Sequence, residues 1–481
     1  MLRRSTAIRR FLVPLLALGA LFAGSPLLTS SGAVAPDRRA VAGSPGIGDP
    51  YFPLDGNGGI DVLHYSVHDR YALDTRSLAG WTRLTVRATQ NLSSFHLDLL
   101  LDVRRVTVDG ERAKFRKPDR HELKITPRQA LDAGDRFTVV VRYAGNPAKV
   151  GYLGERNWLA NAHEVVTMNE PHMAPWWYPA NDHPLDKATH DFHITVPRGR
   201  DVVANGLLRG TRPRGDQVTW HWRAKDPMVP YLAFFAAGDF RVAQGRRDGL
   251  PWVVAASERL PGNGTEVAMR WLRRSPGITA WLESELGDYP FESTGGLVTS
   301  LNPGFALENQ TRPTYPFVGG GARWLLVHEL AHQWFGDSVA VEGWRDVWLN
   351  EGFATYLEVR YAETHGGPSG NAWLRRAYEQ YAPGESFWRL SIGDPGPGRI
   401  FDSAVYDRGA MTLQALRNLI GEQTFAALLR TWAQRFRDGN ASTEDFRALA
   451  QELSGRDLTG FFDAWLFTDL RPADTAANGL G

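Results

Sequence analysis

The stretch LLVHELAHQWFGD, Leu325–Asp337, decides how the chain is read. It sets His328 and His332 four positions apart, so on a helix both imidazoles leave one face, one turn apart. The helix itself is expected. ARWLLVHELAHQWF (322–335) has helical apolar spacing, the GGG triplet at 319–321 breaks what precedes it, and Gly336 can cap the far end. Paired neutral imidazoles suit Zn²⁺, which in catalytic sites takes three protein ligands and leaves a position for water. Glu329, beside the first histidine, can accept a proton from that water. The motif alone also fits an amphipathic helix with two structural histidines.

A third ligand favours the metal. WRDVWLNEGFATYLE (344–358) follows, with eighteen residues between His332 and Glu351. This stretch is again helical in pattern and puts Glu351, Thr355 and Glu358 on one face. Two antiparallel helices joined by such a loop can aim Glu351 at the histidine pair. Thr355 or Glu358 can then hold the second nitrogen of a ligand imidazole, as metal sites usually require. The chain has no cysteine, so any metal must be held by histidines and carboxylates.

Outward from these motifs the chain divides by periodicity. WTRLTVRATQ, FHLDLLLDVRRVTVDG, RFTVVVRYAG and HDFHITVPRG alternate apolar and polar residues between turn formers, as strands of an antiparallel sheet do. Helical spacing takes over near Glu266 in TEVAMRWLRRSPGITAWLESELG and, after one strand-like stretch (STGGLVTSLNPG), continues to FFDAWLFTDLRP. The expected fold class is α+β and multidomain. Its expected parts are a linker at 37–60, a β-rich domain at 61–245, a mostly helical domain at 246–472 and a frayed tail at 473–481.

The amino terminus stands apart. Four arginines precede the apolar run FLVPLLALGALFAG (Phe11–Gly24), and the small-residue stretch TSSGAVAP follows. That order is the pattern of an export signal, here residues 1–36, and the run is short for a membrane-spanning helix. A secreted or extracytoplasmic protein is expected, an uncleaved anchor being the alternative. The formal charge of +1 becomes −3 without those four arginines. A nearly neutral chain carries no electrostatic footprint for nucleic acid.

HELAHQWFGD with WLNEGFATYLE resembles the zinc aminopeptidases related to aminopeptidase N and leukotriene hydrolase, gluzincins whose third ligand is a glutamate. The resemblance extends to YPFESTGGLVTSLNPGFALENQTRP, VYDRGAMTLQAL and NEPHMAPWWYPANDHPLDKATHDFHITVP, and so covers nearly the whole chain after the linker. It implies a saddle-like β-rich domain followed by a thermolysin-like catalytic domain. It also implies one Zn²⁺ per chain on His328, His332 and Glu351, with Glu329 as general base. Tyr406 matches the tyrosine that donates to the oxyanion. Glu308 matches the glutamate that binds a substrate's free amino group, and Glu170 the second acid at that end. Peptides with a free amino terminus are the implied substrates. A zinc endopeptidase on the same core and a non-catalytic zinc-binding module are the alternatives.

Two departures bear on that reading. Where the family has Gly-x-Met-Glu-Asn, this chain has Phe305-Ala306-Leu307-Glu308-Asn309, so a phenylalanine stands where substrate backbone approaches and Ala306 lies beside it. The chain also stops soon after FFDAWLFTDLRPA, without the large helical carboxy-terminal domain of many relatives, which predicts a more open cleft. Asn309-Gln310-Thr311 forms a glycosylation sequon that is expected to be coincidental.

Overall fold

The computed structural model describes residues 39–319 and 321–481; the segment read as an export signal lies outside them. The alternating segments form an eight-stranded sheet. Its order is Leu207–Arg214, Gln217–Met228, Ala188–Pro197, Ile60–Ala72, Ser77–Ala88, Arg136–Gly145, Asp102–Val108 and Glu111–Arg112. Neighbours run antiparallel except Ala188–Pro197 and Ile60–Ala72, which are parallel. In Ile60–Ala72 the buried face carries Ile60 and Val62, then Tyr65, Val67 and Tyr71. A register shift between Val62 and His64 accounts for the change of parity, because an extra residue turns every later side chain to the other face.

FHLDLLLDVRRVTVDG, read as one strand-like stretch, is split. Leu92–Asp98 joins a second sheet with Glu122–Thr126 and Lys114–Arg116, while Asp102–Val108 joins the large one. Leu99, Leu100 and Leu101 are buried in the crossing. A third sheet holds Trp158–Ala160, Val165–Thr167, Phe235–Gly238 and Asp201–Ala204.

A fourth sheet opens the helical part. Phe240–Arg247 forms a hairpin with Leu250–Ser257, which runs parallel to Thr294–Val298. The expected boundary at 245/246 thus falls inside a paired strand. Helices Gly264–Leu272 and Ser275–Leu286 follow, the second opening with Pro276 in its first turn, where a missing N–H costs nothing. Among the described residues no helix is long and apolar enough to cross a membrane.

Residues 40–60, expected to be a linker, are instead a strap packed into the molecule. Val41–Ala42 pairs in parallel with Leu92–Asp98, and Asp49, Asp55 and Asn57 are buried. Asp49 Oδ2 accepts from Trp344 N at 3.1 Å in the helical part and lies 3.2 Å from His183 Nε2 in the β-rich part. Tyr51 hydroxyl binds Asp394 and accepts from Gly396 N at 2.8 Å. Asp49, Asp55 and Asn57, which look like loop composition, are buried hydrogen-bonding groups. The frayed tail is also corrected: Leu480 is buried, and Asn418 Nδ2 donates to Gly479 O at 2.9 Å.

His172 sits beneath the strap, with Nε2 2.7 Å from Asp55 Oδ2 and Nδ1 3.3 Å from Glu155 Oε2. Burial works against its charge, but the two carboxylates prevail and raise it to about 10 from 6.5. A raised histidine contributes stability that is complete below pH 6.5 and is lost as pH climbs through about 10. His172→Gln should therefore lower the melting temperature at pH 6, and its deficit against the unmodified chain should shrink steadily between pH 7 and 10. Parallel melting curves across that range would check this; a constant deficit would show that the charge contributes nothing.

Candidate metal and peptide site

His328 and His332 come from the helix Arg323–Ala331, which ends earlier than its apolar pattern predicts. His332 is already its cap. The chain then turns through Gly336, at φ 122°, so that Phe335 O accepts from His332 Nδ1 at 3.0 Å. Only glycine adopts that backbone cheaply. The return to the glutamate helix Trp348–Thr364 is pinned by Asp346, whose Oδ1 accepts from Thr443 N at 3.1 Å and from its hydroxyl at 2.6 Å.

The glutamate helix lies against the tyrosine helix Ser403–Ile420. At their crossing a Cβ on Gly352 would stand 2.9 Å from Gly409 Cα, so neither position has room for a side chain. This crossing brings Glu351 and Tyr406 to the two histidines. Glu351 Oε2 is 3.2 Å from His328 Nε2 and 3.5 Å from His332 Nε2, and all three residues are buried. His328 Nδ1 is held by Glu358 Oε1 at 2.7 Å. Of the two candidates for holding a ligand imidazole, Glu358 does so, and Thr355 lines the cavity wall.

The donor set fits Zn²⁺: two imidazole nitrogens and one carboxylate oxygen within 4.8 Å of one another, each imidazole oriented through its other nitrogen. Burial would raise Glu351, but His332 and His328 beside it hold the carboxyl down at about 2. A carboxylate that so strongly favours positive charge on both imidazoles will equally favour a cation between them. Burial pushes Glu329 up to about 8, although both histidines favour its ionised form.

A cavity of about 600 Å³ opens over these residues and includes Glu170, Ala306, Glu308, Glu329 and Tyr406. The Tyr406 ring is stacked 6.0 Å from His328. Burial, with the nearby acids led by Glu351 and Glu170, lifts its hydroxyl well above the ordinary tyrosine range, so it remains a donor. Glu308 Oε1 accepts from Tyr231 hydroxyl at 2.8 Å, and Gln333 Nε2 donates to Glu308 O at 2.8 Å. Glu170 Oε1 is buried without a partner. Burial and the proximity of Glu308 push it well above the carboxylate range.

Sequence reasoning missed several of these contributors. Gln333 was visible as the residue after His332, but Tyr231 lies 77 positions from Glu308 and the Phe335 carbonyl has no sequence signature. The departure at Phe305 appears as an exposed ring on the cavity rim, with Trp324 and Phe401 also exposed there. Gly304 before it takes a left-handed φ of 88°. The sequon is inaccessible, since Asn309 is fully buried and donates to Leu232 O at 3.1 Å.

The sequence profile of the Peptidase family M1 domain matches residues 322–465, and that of the Peptidase M1 N-terminal domain matches residues 62–232. The chain belongs to peptidase family M1. It is 27% identical over 419 residues to leucine aminopeptidase 2 of Neosartorya fischeri, a match covering 80% of this chain and 66% of that relative. Aminopeptidase N of Lactococcus lactis subsp. lactis is 24% identical over 430 residues, 81% of this chain and 49% of the relative. This chain thus spans between half and two thirds of these curated relatives. Solved structures correspond more fully. An M1 zinc metallopeptidase variant from Deinococcus radiodurans, bound to a Tyr-Ser-Ala substrate, superposes with a TM-score of 0.80 at 28% identity, covering 90% of this chain and 99% of that one. A two-domain M1 zinc metallopeptidase bound to L-arginine gives 0.78 at 29% identity, covering 85% and 94%. The M1 architecture here is accordingly the two-domain one: a β-rich part, then a helical part.

Proposed function

We propose that this M1 chain is an exported zinc aminopeptidase that removes residues from the free amino end of peptides. The observation that carries the reading is the pair of acids, buried Glu308 and half-buried Glu170, in the same cavity as the metal donors. A carboxylate with a buried, unpaired oxygen, as at Glu170 Oε1, is poised for a cation, and a peptide's α-ammonium is the cation a cleft of this kind receives. The Deinococcus protein's tripeptide and the L-arginine of the two-domain relative support the same assignment.

His328, His332 and Glu351 would hold Zn²⁺, which supplies a Lewis acid and lowers the pKa of water towards about 7. Glu329 takes the proton of the attacking water and returns it to the leaving amine. Tyr406 donates a hydrogen bond from its hydroxyl to the carbonyl oxygen as that oxygen gains charge. Glu308, fixed by Tyr231 and Gln333, and Glu170 anchor the amino end and stop a longer chain from running past. The four arginines, the apolar run and TSSGAVAP support export. Amino-terminal sequencing of chain recovered outside the cytoplasm should begin near residue 36, whereas an intact Met1 would retire the cleaved signal.

Glu329→Gln should retain zinc yet lose roughly 10²–10⁴-fold in turnover of amino-acid arylamides, the usual contribution of a general base. Undiminished turnover would remove Glu329 from that role. Glu308→Ala should lower kcat/KM for free peptides by about 10–100-fold, as expected for losing a charge-assisted hydrogen bond of about 1.5–3 kcal/mol. The advantage of free over N-acetylated peptides should shrink with it. If that advantage persists unchanged, Glu308 does not bind the amine.

A further inference from the structure

We propose that the β-rich part holds a second, structural divalent cation of the Zn²⁺ or Mn²⁺ class, bound by Asp98, His121 and Glu122 together with the Leu54 carbonyl. Asp98 and Glu122 are directly opposed across the antiparallel pair Leu92–Asp98 and Glu122–Thr126. Like charges so opposed repel, and both side chains are almost wholly buried, with 0% and 2% of their surface exposed.

The other contacts of these acids leave one oxygen of each unserved. Asp98 Oδ2 accepts from Asn57 Nδ2 at 3.1 Å and from Asp182 N at 2.8 Å, and Glu122 Oε2 lies 2.7 Å from His96 Nδ1. Asp98 Oδ1 and Glu122 Oε1 have no hydrogen-bond partner. Both face His121 Nε2, at 3.6 and 3.8 Å, and Leu54 O is 3.2 Å from the same nitrogen. A single imidazole N–H can serve only one of these three oxygens and is nearest Leu54 O, which strands both carboxylate oxygens.

One cation would serve all four atoms. Ligands about 2.0–2.2 Å from a tetrahedral centre stand roughly 3.3–3.6 Å apart, close to the separations found. The donor atoms of Asp98, His121 and Glu122 all lie within 4.8 Å of one another, as do those of His328, His332 and Glu351. An imidazole among the donors disfavours Ca²⁺ and Mg²⁺, which take oxygen ligands. His121 Nδ1 has no hydrogen-bond partner, the Asp119 carboxylate standing 3.7 Å away. Because Leu54 belongs to the strap, the ion would fasten residues 40–60 to the sheet.

The test uses the full chain carrying His328→Ala and His332→Ala, so that failure of the peptidase reading cannot affect it. After growth with Zn²⁺ and Mn²⁺ and exhaustive dialysis, elemental analysis should find one divalent ion per chain. Adding Asp98→Asn and Glu122→Gln should abolish it. Should that variant fail to fold, the histidine variant alone decides: stripping with dipicolinate should lower its melting temperature, and Zn²⁺ or Mn²⁺ should restore it. A folded histidine variant that holds no ion, and whose melting temperature ignores the chelator, overturns the proposal.

Discussion

Where Gly352 meets Gly409, two helices pack backbone against backbone, with a Cβ on either excluded by the other helix. Glycine inside a helix costs about 0.5–1 kcal/mol relative to alanine, and here two helices bear it at the same point. The approach it permits sets the distance between Glu351, one residue before Gly352, and Tyr406, three before Gly409. Arg408 keeps the tyrosine helix in place. Its buried guanidinium donates to the carbonyls of Trp388 and Leu390 at 2.9 Å each and to Thr468 O at 3.1 Å. Burial lowers its pKa to about 10, which still leaves it charged at neutral pH. A buried charge of this kind is tolerable only because carbonyl dipoles from three segments converge on it.

The centre so assembled has an excess of acid. Glu170, Glu308, Glu329 and Glu351 face two imidazoles at the base of one open cavity. Burial and mutual repulsion raise Glu170, Glu308 and Glu329, while Glu351 alone is held low by the histidines it touches. Such an arrangement gains stability from any cation that enters. The carboxylates differ in what they can accept: Glu351 faces nitrogens spaced for a metal, and Glu170 has an oxygen free for a donor.

Much of this was legible from spacing. The i, i+4 histidines and the distant Glu351 specify a helix pair, and periodicity placed Thr355 and Glu358 together, though only the orientation of His328 chose between them. The resemblance supplied Glu308, Glu170 and Tyr406. What could not be read is what belongs to the backbone or to remote chain: the Phe335 carbonyl, Tyr231 beneath Glu308, the split of the FHLDLLLDVRRVTVDG stretch between two sheets. The strap was misread for a different reason. Asp49, Asp55 and Asn57 have loop composition, and nothing local reveals that their partners lie more than a hundred residues away, at His183, Trp344 and His172, or 41 residues away, at Asp98.

Those partners impose an order on folding. Tyr51 leaves the ribosome early, yet its contacts at Asp394 and Gly396 are more than three hundred residues downstream. Loop closure over such separations comes late, after the shorter-range sheets and helix pairs have formed. The amino-terminal strap is the first described segment to be made, and its contacts with the helical part can close only after residues 344–396 exist. Its docking completes only when both halves are already built, which makes it a latch on the finished molecule.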